Sequence, residues 1–176
     1  MKRVILAALI TIFALNNNSY GQILFPREDS NEKWGFVDES ETMIIPYKYD
    51  LVDGFVEGLA AVRLDGKWGF IDKSDNVVIP MNYNHVEGFS EGLAKASLNG
   101  KYGFIDRTGK TVIPFKYDHA YGFSEPLLKW GPPKGFAMVA LDGKYGFFDN
   151  AGDEVVPVIY SMKKASRKLN RSVRKR

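Results

Sequence analysis

The chain has 176 residues, 45% of them apolar and 14% aromatic, which suffices for one domain with a substantial core; it has no cysteine, which excludes disulfide bracing, thiolate metal centres and a lipid-bearing cysteine. The formal charge of +3 hides a division: residues 22–162 carry 14 Lys/Arg against 21 Asp/Glu, a net of −7, whereas residues 163–176 carry 8 basic residues and no acidic one. An acidic body with a basic end points to a soluble body and a terminus that seeks anionic surface, because net charge governs association rather than fold.

Met1-Lys2-Arg3 is a short basic start, and residues 4–15 form an apolar run of twelve. A helix spanning a bilayer needs about 20 apolar residues, so this run suits a signal peptide instead. Ser19 and Gly21 put small residues at the −3 and −1 positions of a cleavage site before Gln22. The expected divisions are a signal peptide over 1–21, a β domain over 22–160 and a basic tail over 161–176. The expected location is exported, periplasmic or extracellular, with no transmembrane span once the signal is removed.

From residue 34 the chain repeats itself every 34 residues. Trp34-Gly35-Phe36, Trp68-Gly69-Phe70 and Tyr102-Gly103-Phe104 stand at that interval, and Tyr145-Gly146-Phe147 follows after a nine-residue insertion. Twelve residues after each leading aromatic comes a proline (Pro46, Pro80, Pro114, Pro157), and three further on a tyrosine (Tyr49, Tyr83, Tyr117, Tyr160). The repeat cores therefore lie near 34–46, 68–80, 102–114 and 145–157. A second phrase runs between them, Gly54-Phe55-Val56-Glu57-Gly58-Leu59-Ala60 and its copy Gly88-Phe89-Ser90-Glu91-Gly92-Leu93-Ala94. A fixed period of this size marks supersecondary units that bury their apolar faces only against their neighbours.

These phrases resemble the WG, or KWG, repeat family, whose units carry the words seen here as Gly66-Lys67-Trp68-Gly69-Phe70-Ile71-Asp72 and Glu91-Gly92-Leu93-Ala94. The resemblance covers residues 31–160; tyrosine replaces tryptophan at Tyr102 and Tyr145 and keeps the ring. It implies β-rich repeats, often in exported or multidomain bacterial proteins, with no shared catalytic site.

Within a unit, Asp65-Gly66, Asn99-Gly100 and Asp142-Gly143 sit between apolar runs and predict two-residue hairpins, since type I′ turns need positive φ at both central residues. Asp72 and its equivalents open a second turn. Val77-Val78-Ile79 reads as a third strand ending at Pro80, giving a three-stranded meander and a loop to the next unit. Trp68 and Phe70 are expected on one face and Ile71 on the other, with Gly69 admitting a close neighbour. Stacked copies should align the rings at the Trp34, Phe36, Tyr49 and Phe55 positions into ladders. The fold class is thus all-β: about four repeats of antiparallel hairpins or meanders in an open, twisted array, with a closed barrel as the alternative. A propeller is disfavoured, because its blades have four strands in about 40–50 residues.

Asp38, Asp72, Asp106 and Asp149 hold one slot, where a turn carboxylate bonding its own backbone is the expected role ahead of calcium binding. Glu57, Glu91 and Glu125 form a second row with the same reading. His85 and His119 are equivalent slots that stacking could bring together, but two imidazoles make a poor zinc site. No nucleophile elbow, Gly-rich loop entering a helix or helical metal-ligand pair occurs, so no enzyme, cofactor or metal is expected.

The insertion carries Trp130 between Lys129 and Lys134, and Pro132-Pro133 stiffen it; Trp130 is a candidate contact anchor or a residue folded back over the array. In the tail, Met162, Ala165, Leu169 and Val173 stand at helical spacing. Lys163, Lys164, Arg167, Lys168, Arg171, Arg174, Lys175 and Arg176 fill the other faces. Both a short basic helix and a tail disordered by self-repulsion fit this pattern. The expected function is an exported, non-catalytic binding or scaffold module for a protein or glycan partner, with a polybasic tail for anionic surfaces. The alternatives are a hydrolase using repeat-borne carboxylates and nucleic-acid binding through the tail, which export makes less apt.

Overall fold

The structure, a computed structural model, describes residues 22–123 and 134–174; the expected signal peptide, Lys129, Trp130, Lys175 and Arg176 lie outside the described residues. Four antiparallel sheets follow one another along the chain. The first joins β1 (Phe25–Glu28), β2 (Trp34–Val37) and β3 (Met43–Tyr49). The second joins β4 (Leu51–Val52), β5 (Ala60–Leu64), β6 (Lys67–Ile71) and β7 (Val77–Tyr83). The third comprises β8 (His85–Val86), β9 (Leu93–Leu98), β10 (Lys101–Asp106) and β11 (Thr111–Tyr117). The fourth comprises β12 (His119–Tyr121), β13 (Phe136–Leu141), β14 (Lys144–Asp149) and β15 (Glu154–Tyr160), and a helix, α1 (Met162–Val173), closes the chain.

A full unit therefore has four strands in sequential order, where three were expected. The connection between units holds the extra one: Leu51 pairs with Arg63 and Val52 with Val62, and His85 and Val86 repeat this against Ser97 and Ala96. Two residues are too few to show an alternation, so the strand is silent in the sequence. Four strands fit into 34 residues because this one is so short.

The third strand also runs past its proline. β7 continues through Pro80 to Tyr83, and its register slips: Phe70 faces Ile79 but Trp68 faces Tyr83. The surplus residues form a bulge on an edge strand, where proline's missing N–H breaks no ladder. Gly69 faces that bulge. A Cβ there would lie 2.8 Å from Pro80 C and Met81 N, and at the equivalent Gly103 it would lie 2.6 Å from Ile113 O. Backbone cannot yield as a side-chain tip can, so the central glycine of each aromatic-Gly-Phe triplet is required by close approach.

The turns follow their chemistry. Asp65 and Gly66 have φ of 51° and 74°, and Asn99 and Gly100 have 51° and 76°, the signature of type I′ hairpins. The row of Asp38, Asp72, Asp106 and Asp149 forms turns as expected: Asp72 Oδ1 accepts from Ser74 N at 2.8 Å and Asn76 N at 2.9 Å, and the other three repeat the pattern. Glu57 and Glu91 occupy turns as expected, with φ of 49° and 54°, but their carboxylates reach the next unit rather than their own backbone. Glu57 Oε2 accepts from Gly92 N at 3.2 Å, and Glu91 Oε1 accepts from Gly135 N at 3.2 Å. Glu125 lies outside the described residues.

A third polar slot, unnoticed in the sequence, follows Tyr49, Tyr83 and Tyr117. Asp50, Asn84 and Asp118 each accept from the backbone of a hairpin tip, at Gly66, Asn99 and Asp142. Asp118 also binds Lys101 Nζ at 2.7 Å, and that hydrogen bond, then the one from Asp142 N, holds its carboxyl below the ordinary 3.8. Asp50 is lowered in the same way by Lys33, then by Gly66. A carboxylate whose pKa is depressed by folding stabilises above its unfolded pKa and loses that contribution as pH falls through the folded value. The melting temperature should therefore drop as pH falls below 3.8, and Asp118→Asn should drop less steeply. Identical acid limbs in a pH series of thermal melts would show that this slot does not report on folding.

The sheets stack face to face, and each interface is a separate core. Phe36, Ile45 and Tyr49 meet Ala60, Val62 and Ile71 between the first two sheets. Phe70, Ile79 and Tyr83 meet Ala94, Ala96 and Ile105 between the second and third. Phe104, Ile113 and Tyr117 meet Ala137, Val139 and Phe148 between the third and fourth. Large residues point onward and mostly small ones back, which lets successive layers interlock. The rings meet as pairs of different slots rather than as ladders of equivalent ones: Phe36 with Phe55 at 4.9 Å, Phe70 with Phe89 at 4.8 Å and Phe104 with Phe123 at 5.7 Å. Tyr49 adds a bond across units, donating to Asp75 Oδ1 at 2.6 Å. Burial, then that contact, pushes its phenol above the ordinary 10, and burial with Glu154 pushes Tyr117 up to about 12. The fourth sheet's outer face is covered by α1 rather than by the first sheet, so the array is open and no barrel closes.

Candidate functional site

Of the two readings of the tail α1 bears out the helix, whose apolar stripe serves the fold and whose cations remain outside. Ala165 and Leu169 are buried against Met138, Phe147 and Val156, with Met162 packed beside them, while Val173 stays exposed. Residues 162–173 are thus a packed helix, not a disordered tail. At about 100° per residue, Lys163, Lys164, Arg167, Lys168, Arg171 and Arg174 fall within an arc of about 140° opposite that stripe. All six are exposed, and none has a carboxylate partner among the described residues.

This charge arrangement works against the helix that carries it. Lys163, Arg167 and Arg171 repel one another at spacings of four, as do Lys164 and Lys168. No acidic residue occupies the first turn, where lysines meet the positive end of the helix dipole, and Ser161 makes no side-chain cap. Tyr160 relieves a little of this: Lys164 and Lys168 lie 5.1 and 4.9 Å from its ring centre. The surface holds a shallow groove of about 410 Å³ lined by Ser161, Lys163, Lys164, Arg167, Lys168 and Arg171. A second of about 290 Å³ continues along Arg167, Asn170, Arg171 and Arg174. Such a face attracts an extended anionic partner and offers hydrogen-bond donors but no carboxylate.

Among the other candidates, Lys134 is exposed at the end of the insertion, next to the Gly135 that Glu91 holds. The leading aromatics Trp34, Trp68, Tyr102 and Tyr145 are half-buried at the rim of the stack, whereas Phe36, Phe70, Phe104 and Phe147 are fully buried. Gly35, Gly69, Gly103 and Gly146 all back onto bulge backbone. No group of three or more metal-ligating side chains occurs among the described residues. Sequence reasoning overlooked Tyr160 as a support for the basic face; its signal is the pair of lysines four and eight residues later.

Geometry thus defines the class: an all-β tandem-repeat array whose end is capped by a basic helix. A model of the WG containing repeat matches residues 34–68, 68–102 and 102–128, more than half of the chain. The chain belongs to the WG-repeat family. No curated protein matches it. Among solved structures, one described as a crystal structure of the eukaryotic initiation factor is similar at 14% identity and a TM-score of 0.45. The match covers 83% of this chain and 39% of that one.

Proposed function

We propose that this is an exported, non-catalytic WG-repeat protein that docks on an anionic surface through the basic face of α1 and presents its repeat body to a protein or glycan. The observation that carries this reading is the run of six exposed cations, without carboxylate partners among the described residues, on a helix whose other face is fixed to the core. A local conflict of charge maintained on a rigid support is expected where an external ligand resolves it. A non-catalytic role fits the repeat-borne aspartates, each of which holds its own turn through Oδ1. The basic start and short apolar run at the N-terminus support export.

Vesicle sedimentation tests the docking. The protein should bind phosphatidylglycerol vesicles and not phosphatidylcholine vesicles, with binding weakened as salt shortens the Debye length to about 8 Å near 0.15 M. Each basic residue near an anionic surface contributes about 1 kcal/mol, so Arg167→Glu with Arg171→Glu should cost about 2 kcal/mol or more. Equal binding to both vesicles would defeat the proposal. Tighter, steeply salt-dependent binding to DNA than to vesicles would favour the nucleic-acid alternative.

A further inference from the structure

The third unit departs from its neighbours at one core slot. Lys95 on β9 occupies the position that is Ala61 in the second unit and Met138 in the fourth, both buried. It pairs with Phe104, and so faces the interface between the third and fourth sheets. The Lys95 side chain is only 10% exposed, and its Nζ lies 2.5 Å from Glu87 Oε1. The partner slot changes too: Asp53, Glu87 and Tyr121 stand there in successive units. Alanine and methionine satisfy the slot elsewhere, so packing does not require an ammonium there. Desolvating one works against folding.

The pair lies in a cleft of about 160 Å³ bounded by His85, Glu87, Lys95, Tyr102, His119, Ala120 and Tyr121. The two histidines thus share one cleft, His85 Nε2 standing 4.0 Å from Glu87 Oε1. At ~30 Å³ per water, the space holds roughly five waters, the scale of one small ring rather than a chain. A neutral imidazole offers one donor and one acceptor, the carboxylate accepts, the ammonium donates and the phenols do both. Lys95 and Glu87 balance each other, so the cleft has no net attraction for an ion when the imidazoles are neutral. Two half-buried tyrosine rings supply aromatic surface beside these polar groups.

We infer that the cleft between the third and fourth sheets binds one neutral sugar ring, its hydroxyls bonded by Lys95, Glu87 and the two histidines and its C–H face laid against a tyrosine. The idea rests on and deepens the glycan half of the proposed function; Lys95 faces the interface between the third and fourth sheets, and His119 and Tyr121 join the cleft from β12, the edge strand of the fourth sheet.

Titration calorimetry and saturation-transfer NMR with glucose, galactose, mannose and N-acetylglucosamine test it, with inorganic phosphate and acetate as anionic controls. At least one hexose should bind saturably, and Lys95→Met should weaken it at least tenfold without lowering the melting temperature. His119→Ala, at an exposed position, should weaken it severalfold and supplies the decision if Lys95→Met fails to fold. Vesicle binding by Lys95→Met should match the parent, which separates failure here from failure of the docking proposal. The inference falls if no hexose binds, if affinity survives both substitutions, or if phosphate displaces the sugar.

Discussion

Phe70→Ala should lower stability by about 3–5 kcal/mol, among the largest effects of any single substitution in the repeat body. Phe70 is fully buried, belongs to the core between the second and third sheets, and lies 4.8 Å from Phe89 across that interface. The surrounding backbone cannot collapse into the space, because the bulge of β7 is seated against Gly69. At about 2–4 °C per kcal/mol for a domain of this size, the melting temperature should fall by roughly 10 °C. Trp68→Ala should cost clearly less, since Trp68 is only half-buried at the rim. In a stacked array each unit contacts only its neighbours, so damage should be local. Hydrogen exchange should accelerate in β5, β6 and β9 while β14 and β15 stay protected. A uniform loss of protection would mean that the four sheets unfold as one block.

The repeat period, the type I′ hairpins and the aspartate turns were legible because each rests on a local rule repeated in register. Asp65-Gly66 specifies its turn wherever it occurs, and Asp72 needs only its own next four residues. What escaped was information carried between units. Glu57 reads as a turn residue, and is one, but the reach of its carboxylate to Gly92 of the next copy shows only when the two units are side by side. β4 and β8 have two residues each, and a period of two cannot be seen in two residues. The strand that was expected to end at Pro80 continues because Gly69, across the ladder, leaves room for a bulge. The cleft was half legible: the equivalence of His85 and His119 was plain, but Lys95 is conspicuous only once its slot is known to be buried. The basic face of α1 could be listed residue by residue, yet whether its apolar stripe was free depended on the open face of the fourth sheet.

Leu169→Ala should cost about 2–5 kcal/mol, because Leu169 is 1% exposed and seals the fourth sheet against solvent. Removing all of α1 should do more, uncovering Met138, Phe147 and Val156 together and leaving an apolar sheet face prone to association. Truncation is therefore a poor probe of the basic face, since a chain ending before Met162 changes the core and the charge at once. Charge reversal separates them. Arg167→Glu and Arg171→Glu leave the buried stripe intact and turn the repulsion between Lys163 and position 167 into attraction, while positions 167 and 171 stay alike in sign, so stability should hold or rise by the few tenths of a kcal/mol typical of one such pair. The decisive comparison is a set of thermal melts beside vesicle binding. Leu169→Ala should lose stability and, while folded, keep its affinity for anionic vesicles; the double reversal should do the opposite. If both variants lost stability equally, the cations would be part of the cap itself, and the division of α1 into a structural and a docking face would fail.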